Sequence, residues 1–250
     1  NKIIDNSYPN KITFNGKLLS KLRYGENPHQ SGAFYSGGNL NELEKLNGKQ
    51  LSYNNYNDIY SGLDIKNSLP KGVGTTIIKH ANPSGVSIDK NQCSSFKQAF
   101  DCDPISAFGG VIICNYKIKS ETAKEINNKF FEVIVANDFD TKALSILKKK
   151  KNLRIIKNNQ KHDSNQIVLN MLSNNFILQN SDNQNFNKNM FKVVSKKKPN
   201  KKLFNDLIFA FNVCRFVKSN AIVLTNNNST VGIGSGQPSR LDSCEIAVNK

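Results

Sequence analysis

The chain has no tryptophan, and no apolar run in it approaches the length of a membrane span. No charged-then-apolar leader opens it. Both absences read as a soluble, cytoplasmic protein with no membrane partner. Metal ligands are scarce as well. His29, His80 and His162 are the three histidines, and Cys93, Cys102, Cys114, Cys214 and Cys244 are the five cysteines. They form no Cys-x-x-Cys and nothing with zinc-ligand spacing, so no metal is expected. The odd number of cysteines reads as reduced thiols, with Cys114 and Cys214 in the core.

Arginine is the other scarcity. The formal net charge is +16, yet only Arg23, Arg154, Arg215 and Arg240 among 35 basic residues are arginine. Bidentate reading of bases and phosphates favours arginine over lysine. The runs Lys148–Lys151 and Lys196–Lys198 carry no interleaved aromatics of the kind that stack on bases. The charge is therefore read as solvated surface that attracts small anions, with no nucleic-acid partner. The alternative is a basic protein for nucleic acid or anionic surfaces. Arg23 and Arg240 stand apart because they sit in loops marked by Gly and Pro.

What is present alternates between strand and helix patterns. A strand is expected at Lys11–Phe14 and a helix from about Leu51 to Leu69. Further strands are expected at Thr75–Ile78, Val111–Cys114, Val133–Ala136 and Leu153–Ile156. Helices are expected over Ser94–Phe100, over Glu121–Asn128 with Ser120 as its cap, and over Thr141–Lys150. Asp103–Gly110 reads as a loop. Gln166–Leu172 is a candidate strand in an Asn/Gln-rich stretch. Pro199 and Asn200 introduce a helix whose Leu203, Leu207, Ile208, Phe211 and Cys214 are expected to face the core. A hairpin of Ala221–Thr225 and Thr230–Ile233 follows. The alternation predicts an α/β layered fold. It divides into a first lobe at 1–156, a connector at 157–198 and the start of a second lobe at 199–250. The first residue is Asn1, and Lys250 falls inside an apolar-patterned segment, so a piece of a longer polypeptide is expected.

Chemistry gathers at the loops. The β-branched run Thr75–Ile78 ends in Lys79-His80, followed by turn formers Asn82, Pro83 and Gly85. A surface lysine before a turn-capping histidine is the plain reading. The functional reading sets an imidazole base beside an ammonium that stabilises negative charge. Gly232-x-Gly234-x-Gly236 is not the dinucleotide pattern, since its third glycine comes one place early. The glycines read as a close backbone approach to a ligand or as a sharp bend. Asn220 ends a helix or donates to a substrate oxygen. Arg23 and Tyr24 offer a fork and a hydroxyl to a phosphate or carboxylate, or else Arg23 pairs with Glu26.

Five segments then occur together in one order. They are Leu22–Gln30, Lys79–Gly85, Asp103–Gly110, Lys218–Ala221 and Gly232–Arg240. In this order the chain resembles the formyltransferase part of the bifunctional purine-biosynthesis family, phosphoribosylaminoimidazolecarboxamide (AICAR) formyltransferase joined to IMP cyclohydrolase. The resemblance implies transfer of a formyl group from the co-substrate 10-formyltetrahydrofolate to the 5-amino group of AICAR. It implies His80 as base, Lys79 as electrostatic or proton-shuttling partner, and Asn220 as the group that orients or polarises the formyl oxygen. Arg23, Tyr24, Gly109, Glu132 and Arg240 match nucleotide-binding positions, and Leu241 a folate-side contact. It also implies a duplicated cytidine-deaminase-like α/β/α unit without the zinc site, and a homodimer sharing its active sites. The cyclohydrolase domain and the end of the transferase are expected to lie outside this chain, so that the chain by itself is not a competent enzyme. Ser84 and Pro238 depart from the family's usual residues.

Overall fold

The computed structural model describes residues 8–37, 43–158, 167–182, 184 and 186–250. A small hairpin comes first, β1 (Lys17–Leu22) against β2 (Gly32–Ser36). The strand expected at Lys11–Phe14 is irregular. Pairing begins only where Ala33–Ser36 supplies a partner. The hairpin is fixed to the first helix by Phe34, whose ring stacks on Tyr56 at 4.0 Å.

The remaining strands are β3 (Glu44–Asn47), β4 (Val73–Lys79), β5 (Asn82–Asp89), β6 (Val111–Ile118), β7 (Val133–Phe139), β8 (Arg154–Lys157), β9 (Ile167–Leu172), β10 (Asn175–Asn180), β11 (Ile222–Asn226) and β12 (Ser229–Gly234). The helices are α1 (Tyr53–Ser68), α2 (Gln92–Asp101), α3 (Pro104–Ala107), α4 (Ser120–Asn127), α5 (Thr141–Leu147), α6 (Lys201–Cys214) and α7 (Arg240–Asn249). Eight strands form one mixed sheet in the order β11-β12-β5-β4-β6-β7-β8-β3. β6, β7 and β8 are parallel and joined by α4 and α5, whereas the other neighbours are antiparallel. The sheet runs across the expected boundary at 157–198. The fold is mixed α/β.

The central strands are apolar on both faces, which marks a sheet covered on both sides. Successive residues alternate between two cores. Ile77, Ile112, Ile134 and Ile155 join Phe96, Ile126 and Leu147 of α2, α4 and α5. Ile78, Ile113, Val135 and Ile156 join Ile59, Leu63, Phe209 and Val213 of α1 and α6. Several local expectations shift. Asp103–Gly110 contains α3, with Asp103 capping Ser106 N–H at 3.0 Å. Ser120 is inside α4, and its hydroxyl donates to Glu121 instead of capping. α5 stops before the lysines Lys148–Lys150. Cys214 is only partly buried.

The apolar stripe of α6 points the other way from expectation. Leu203, Leu207 and Phe211 are exposed, while Asp206, Phe209, Asn212 and Val213 are buried. Asp206 turns inward because its carboxylate accepts Asn227 N–H at 3.2 Å and Asn228 N–H at 2.7 Å in the β11–β12 turn. The hairpin β9–β10 replaces part of the expected connector, and Gln166 lies outside the described residues.

An internal repeat emerges whose matching residues the linear sequence reading did not align. α1-β4-β5-α2 and α6-β11-β12-α7 are both helix, hairpin, helix. Tyr56-Asn57-Asp58-Ile59 stands in α1 where Phe204-Asn205-Asp206-Leu207 stands in α6. In each unit the aspartate is buried and accepts a backbone N–H from the tip of the following hairpin. In each, a glycine three residues into the second strand carries a helix. A Cβ on Gly85 would overlap the Ala99 carbonyl, and one on Gly232 the Ala247 carbonyl. The two hairpins adjoin where Ser87 faces Ser229.

Candidate active site

Register sets the site at one end of the sheet. Ile78 pairs with Val111, Val111 with Val133, and Val133 with Arg154. Lys79 at the end of β4, Gly109 and Gly110 before β6, Glu132 before β7 and Arg154 at the start of β8 therefore form a row. Lys79 Nζ donates to the Gly109 carbonyl at 3.1 Å. Gly109 adopts φ +66°, a left-handed conformation that glycine takes without penalty.

α1 begins at the same end. Ser52 and Asn55 form a reciprocal capping box, and Asn55 Nδ2 also donates to Glu132 Oε2 at 3.1 Å. Arg154 Nη1 lies 3.6 Å from the same carboxylate oxygen. Asn55 and Arg154 thus fix the Glu132 side chain at this end of the sheet.

The turn after Lys79 is two residues earlier than its composition indicates. Asn82–Gly85 is the start of β5, and the chain reverses at His80 and Ala81, whose φ values are +52° and +58°. Such turns match the twist of a hairpin and ordinarily carry Asn and Gly. Left-handed geometry costs other L-residues about 1–2 kcal/mol each. His80 is exposed at this tip. Inside the tip, Asp58 Oδ1 accepts Ala81 N–H at 2.6 Å. Burial lifts the Asp58 carboxyl above the usual carboxylate range. It outweighs the Ala81 hydrogen bond and the attraction of His80 and Lys79, and Glu132 adds repulsion.

A cavity of about 300 Å³ opens beside the tip, lined among others by Lys79, His80, Asn82, Asp103, Ser235 and Gln237. Asp103 accepts Lys250 Nζ at 2.6 Å. Burial opposes its ionisation, but Lys250 and Ser106 prevail and hold the carboxyl below its usual range. The far wall is the β12–α7 loop. Its shape corrects the reading of Gly232 and Gly234. Both are required because α7 lies directly on β12, where a Cβ on Gly234 would overlap the Ser243 carbonyl. Gly236 alone is a turn glycine, at φ +70°.

Asn220 braces that loop. Its Nδ2 donates to the carbonyls of Gln237 at 2.9 Å and Pro238 at 2.7 Å. Asn82 Oδ1 accepts Lys218 N–H at 3.1 Å, which ties the Asn220 segment to the His80 hairpin. Arg240 and Leu241 open α7 behind the Ser239 cap and are exposed. They do not line the cavity that holds Lys79 and His80. Arg23 lies over the ring of Tyr24 at 5.8 Å, and among the described residues it makes no ion pair with Glu26. Its loop reaches α1 through Asn54 Nδ2, which donates to the Glu26 carbonyl at 3.2 Å.

The structure thus brings Lys79, Gly109 and Glu132 into one row, with His80 at the adjoining hairpin tip and Asn220 bracing the loop that walls the cavity. Asp58, Asn82 and Asp103 were missed as site residues. Only the buried Asp in each repeat offered a signal, since an aspartate amid Ile59, Leu63 and other core residues needs a partner.

Fold and site together define a mixed α/β protein whose polar groups converge on one end of its large sheet. Over residues 1–250 the sequence matches the family described as the AICARFT/IMPCHase bienzyme. The chain belongs to that family. It is 42% identical to the bifunctional purine biosynthesis protein PurH of Leptospira biflexa over 252 aligned positions, covering 100% of this chain and 49% of that protein. It is 41% identical to PurH of Rhodospirillum rubrum, covering 96% of this chain and 46% of the relative. PurH of Roseobacter denitrificans is 39% identical, with coverage of 97% and 47%. The chain spans about half the length of the curated relatives it matches.

Proposed function

We propose that this chain carries the formyl-transfer site of a bifunctional purine-biosynthesis enzyme. The substrates are AICAR and 10-formyltetrahydrofolate, and the products are the formylated nucleotide and tetrahydrofolate. The observation that carries the proposal is the Lys79-His80 strand end facing Gly109 and Glu132, in a chain that matches the family throughout.

The AICAR amine is a weak nucleophile because its lone pair is drawn into the ring. Attack on the formyl carbon therefore needs proton removal as the new N–C bond forms. His80 takes that proton. Negative charge builds on the formyl oxygen, and the Lys79 ammonium stabilises it. Collapse breaks the bond to the folate nitrogen, which leaves with a proton that His80 or Lys79 supplies. Both N–H groups of Asn220 are already committed to the Gln237 and Pro238 carbonyls. Those bonds support Asn220 as an orienting group, since polarising the formyl oxygen requires it to release one of them. Arg23, Tyr24, Gly109, Glu132 and Arg240 are assigned to the nucleotide, and Leu241 to the folate.

The internal repeat supports a duplicated unit of the cytidine-deaminase-like kind, with residues 1–156 and 199–250 as first and second lobes. A homodimer is supported by β9–β10, where Ile167, Val168, Leu169, Met171, Leu172, Phe176 and Ile177 are all exposed. Among the described residues no helix is long and apolar enough to cross a membrane, in keeping with a cytoplasmic enzyme. In the protein that contains this chain, His80→Ala is expected to abolish formyl transfer while circular dichroism remains unchanged. Near-normal turnover would sink the assignment of His80 as base.

A further inference from the structure

We infer that Asp58 is a positioning residue, a buried carboxylate whose task is to hold His80 in its left-handed turn at the mouth of the cavity. This rests on the reading of His80 as the base.

The internal repeat supplies the comparison. Both hairpin tips are two residues long and both are left-handed, at +52° and +58° for His80 and Ala81 and at +53° and +54° for Asn227 and Asn228. Asparagine tolerates this conformation because its short amide bonds locally. Histidine tolerates it better than most residues, but alanine at the second position has no such compensation. Both tips are anchored by an aspartate from the preceding helix, and the tip with the less suitable residue has the greater need of it. Asp58 is its anchor, in the same place in α1 that Asp206 holds in α6. Its Oδ1 takes Ala81 N–H at 2.6 Å.

The outer side of the tip is gripped differently. Asn82 Nδ2 donates to the His80 carbonyl at 3.2 Å, and Asn82 Oδ1 takes Lys218 N–H. His80 thus sits between a grip from α1 and a grip from the Asn220 segment. Asp58 does not line the cavity itself. It acts through the backbone that carries the imidazole. α1 is in turn fixed at this end by Asn55 on Glu132, so the carboxylate is presented from a rigid element. Sequence placed a histidine where asparagine would fold more readily, and placed an aspartate beneath it.

The test uses Asp58→Asn, which keeps an oxygen acceptor, and Asp58→Ala, which removes it. With three histidines in the chain, the His80 imidazole carbon–proton signal is assigned through His80→Gln. That signal is expected to shift in the Ala variant and to stay near wild type in the Asn variant, with His29 unmoved in both. In the whole enzyme, kcat is expected to fall about 100-fold in the Ala variant with KM nearly unchanged, the size associated with a small misplacement of a catalytic group. The Asn variant is expected to recover most of the loss.

Where Asp58→Ala does not fold, the double variant Asp58→Ala/Ala81→Gly decides. Glycine supports the left-handed turn without an anchor, so folding and the His80 signal should return. An unmoved His80 signal in the Ala variant, or no rescue by glycine, overturns the inference whatever happens to turnover. A moved signal together with turnover retained by His80→Gln leaves the role of Asp58 standing and overturns the reading of His80 as base.

Discussion

Lys79 Nζ reaches the Gly109 carbonyl at 3.1 Å, across the two strands whose ends define the candidate site. The contact depends on Gly109 itself. A Cβ there would stand 3.3 Å from Lys79 Nζ and 3.3 Å from the Phe130 ring, on a backbone held at φ +66°. Gly109→Ala is expected to cost about 1–2 kcal/mol in urea unfolding through the left-handed backbone alone. It should also displace the lysine and lower formyl transfer by more than the lost folded fraction explains. A variant of unchanged stability and unchanged turnover would show that the lysine is not held by this glycine.

Asp58 makes stability depend on pH in a defined direction. Its native carboxyl titrates above its ordinary value of 3.8, burial being the largest cause, with His80, Lys79 and Glu132 facing it. Below both pKa values the group is neutral in folded and unfolded chains. As pH rises through the unfolded value, the unfolded chain releases its proton first and the native state is disfavoured. The loss is complete once the raised native value is passed. Asp58→Asn has no proton to release there. Its midpoint in thermal unfolding, relative to wild type, should therefore climb from acid to neutral pH and then level off. A difference that is constant with pH refutes the argument.

The central strands were legible because burial on both faces leaves a continuous β-branched run, as in Val111–Cys114 and Val133–Ala136. The Lys79-His80 pair was legible for the related reason that polar residues end such a run. The turn was misplaced because Asn82, Pro83 and Gly85 have turn composition, while the actual reversal at His80 and Ala81 is imposed by Asp58 from a distant helix. The stripe on α6 failed for a similar reason. Periodicity marked Leu203, Leu207 and Phe211, but Asp206 must face the β11–β12 turn, and that fixes the helix rotation. Asp58 and Asp206 each stand among apolar neighbours, but the role they share shows only once the repeat aligns them.

Close packing of α7 on β12 gives a sharp contrast between glycines. Gly234→Ala pushes a methyl into the Ser243 carbonyl, which is backbone and cannot rotate away. It is expected to cost about 3 kcal/mol, at the upper end for overpacking, and to disturb the cavity wall at Ser235 and Gln237. Gly37→Ala meets nothing within 4 Å and is expected to be neutral. Equal midpoints for the two variants in urea would contradict the packing of α7.

Cysteine reactivity checks both cores at once. Cys244 is exposed on α7, whereas Cys102 and Cys114 are buried. Burial pushes the Cys102 thiol up to about 11 and the Cys114 thiol up to about 12. The thiolate is the reacting form, so neither has an appreciable reactive fraction at about pH 8. Ellman's reagent should label Cys244 first, then Cys93 and Cys214, which are partly buried. Cys102 and Cys114 should label only at the rate of unfolding. Adding urea below the transition should leave that last phase slow, and crossing the transition should merge it with the first. Rapid native labelling of Cys114, assigned by mass spectrometry, would mean that the β4–β6 core opens locally without global unfolding.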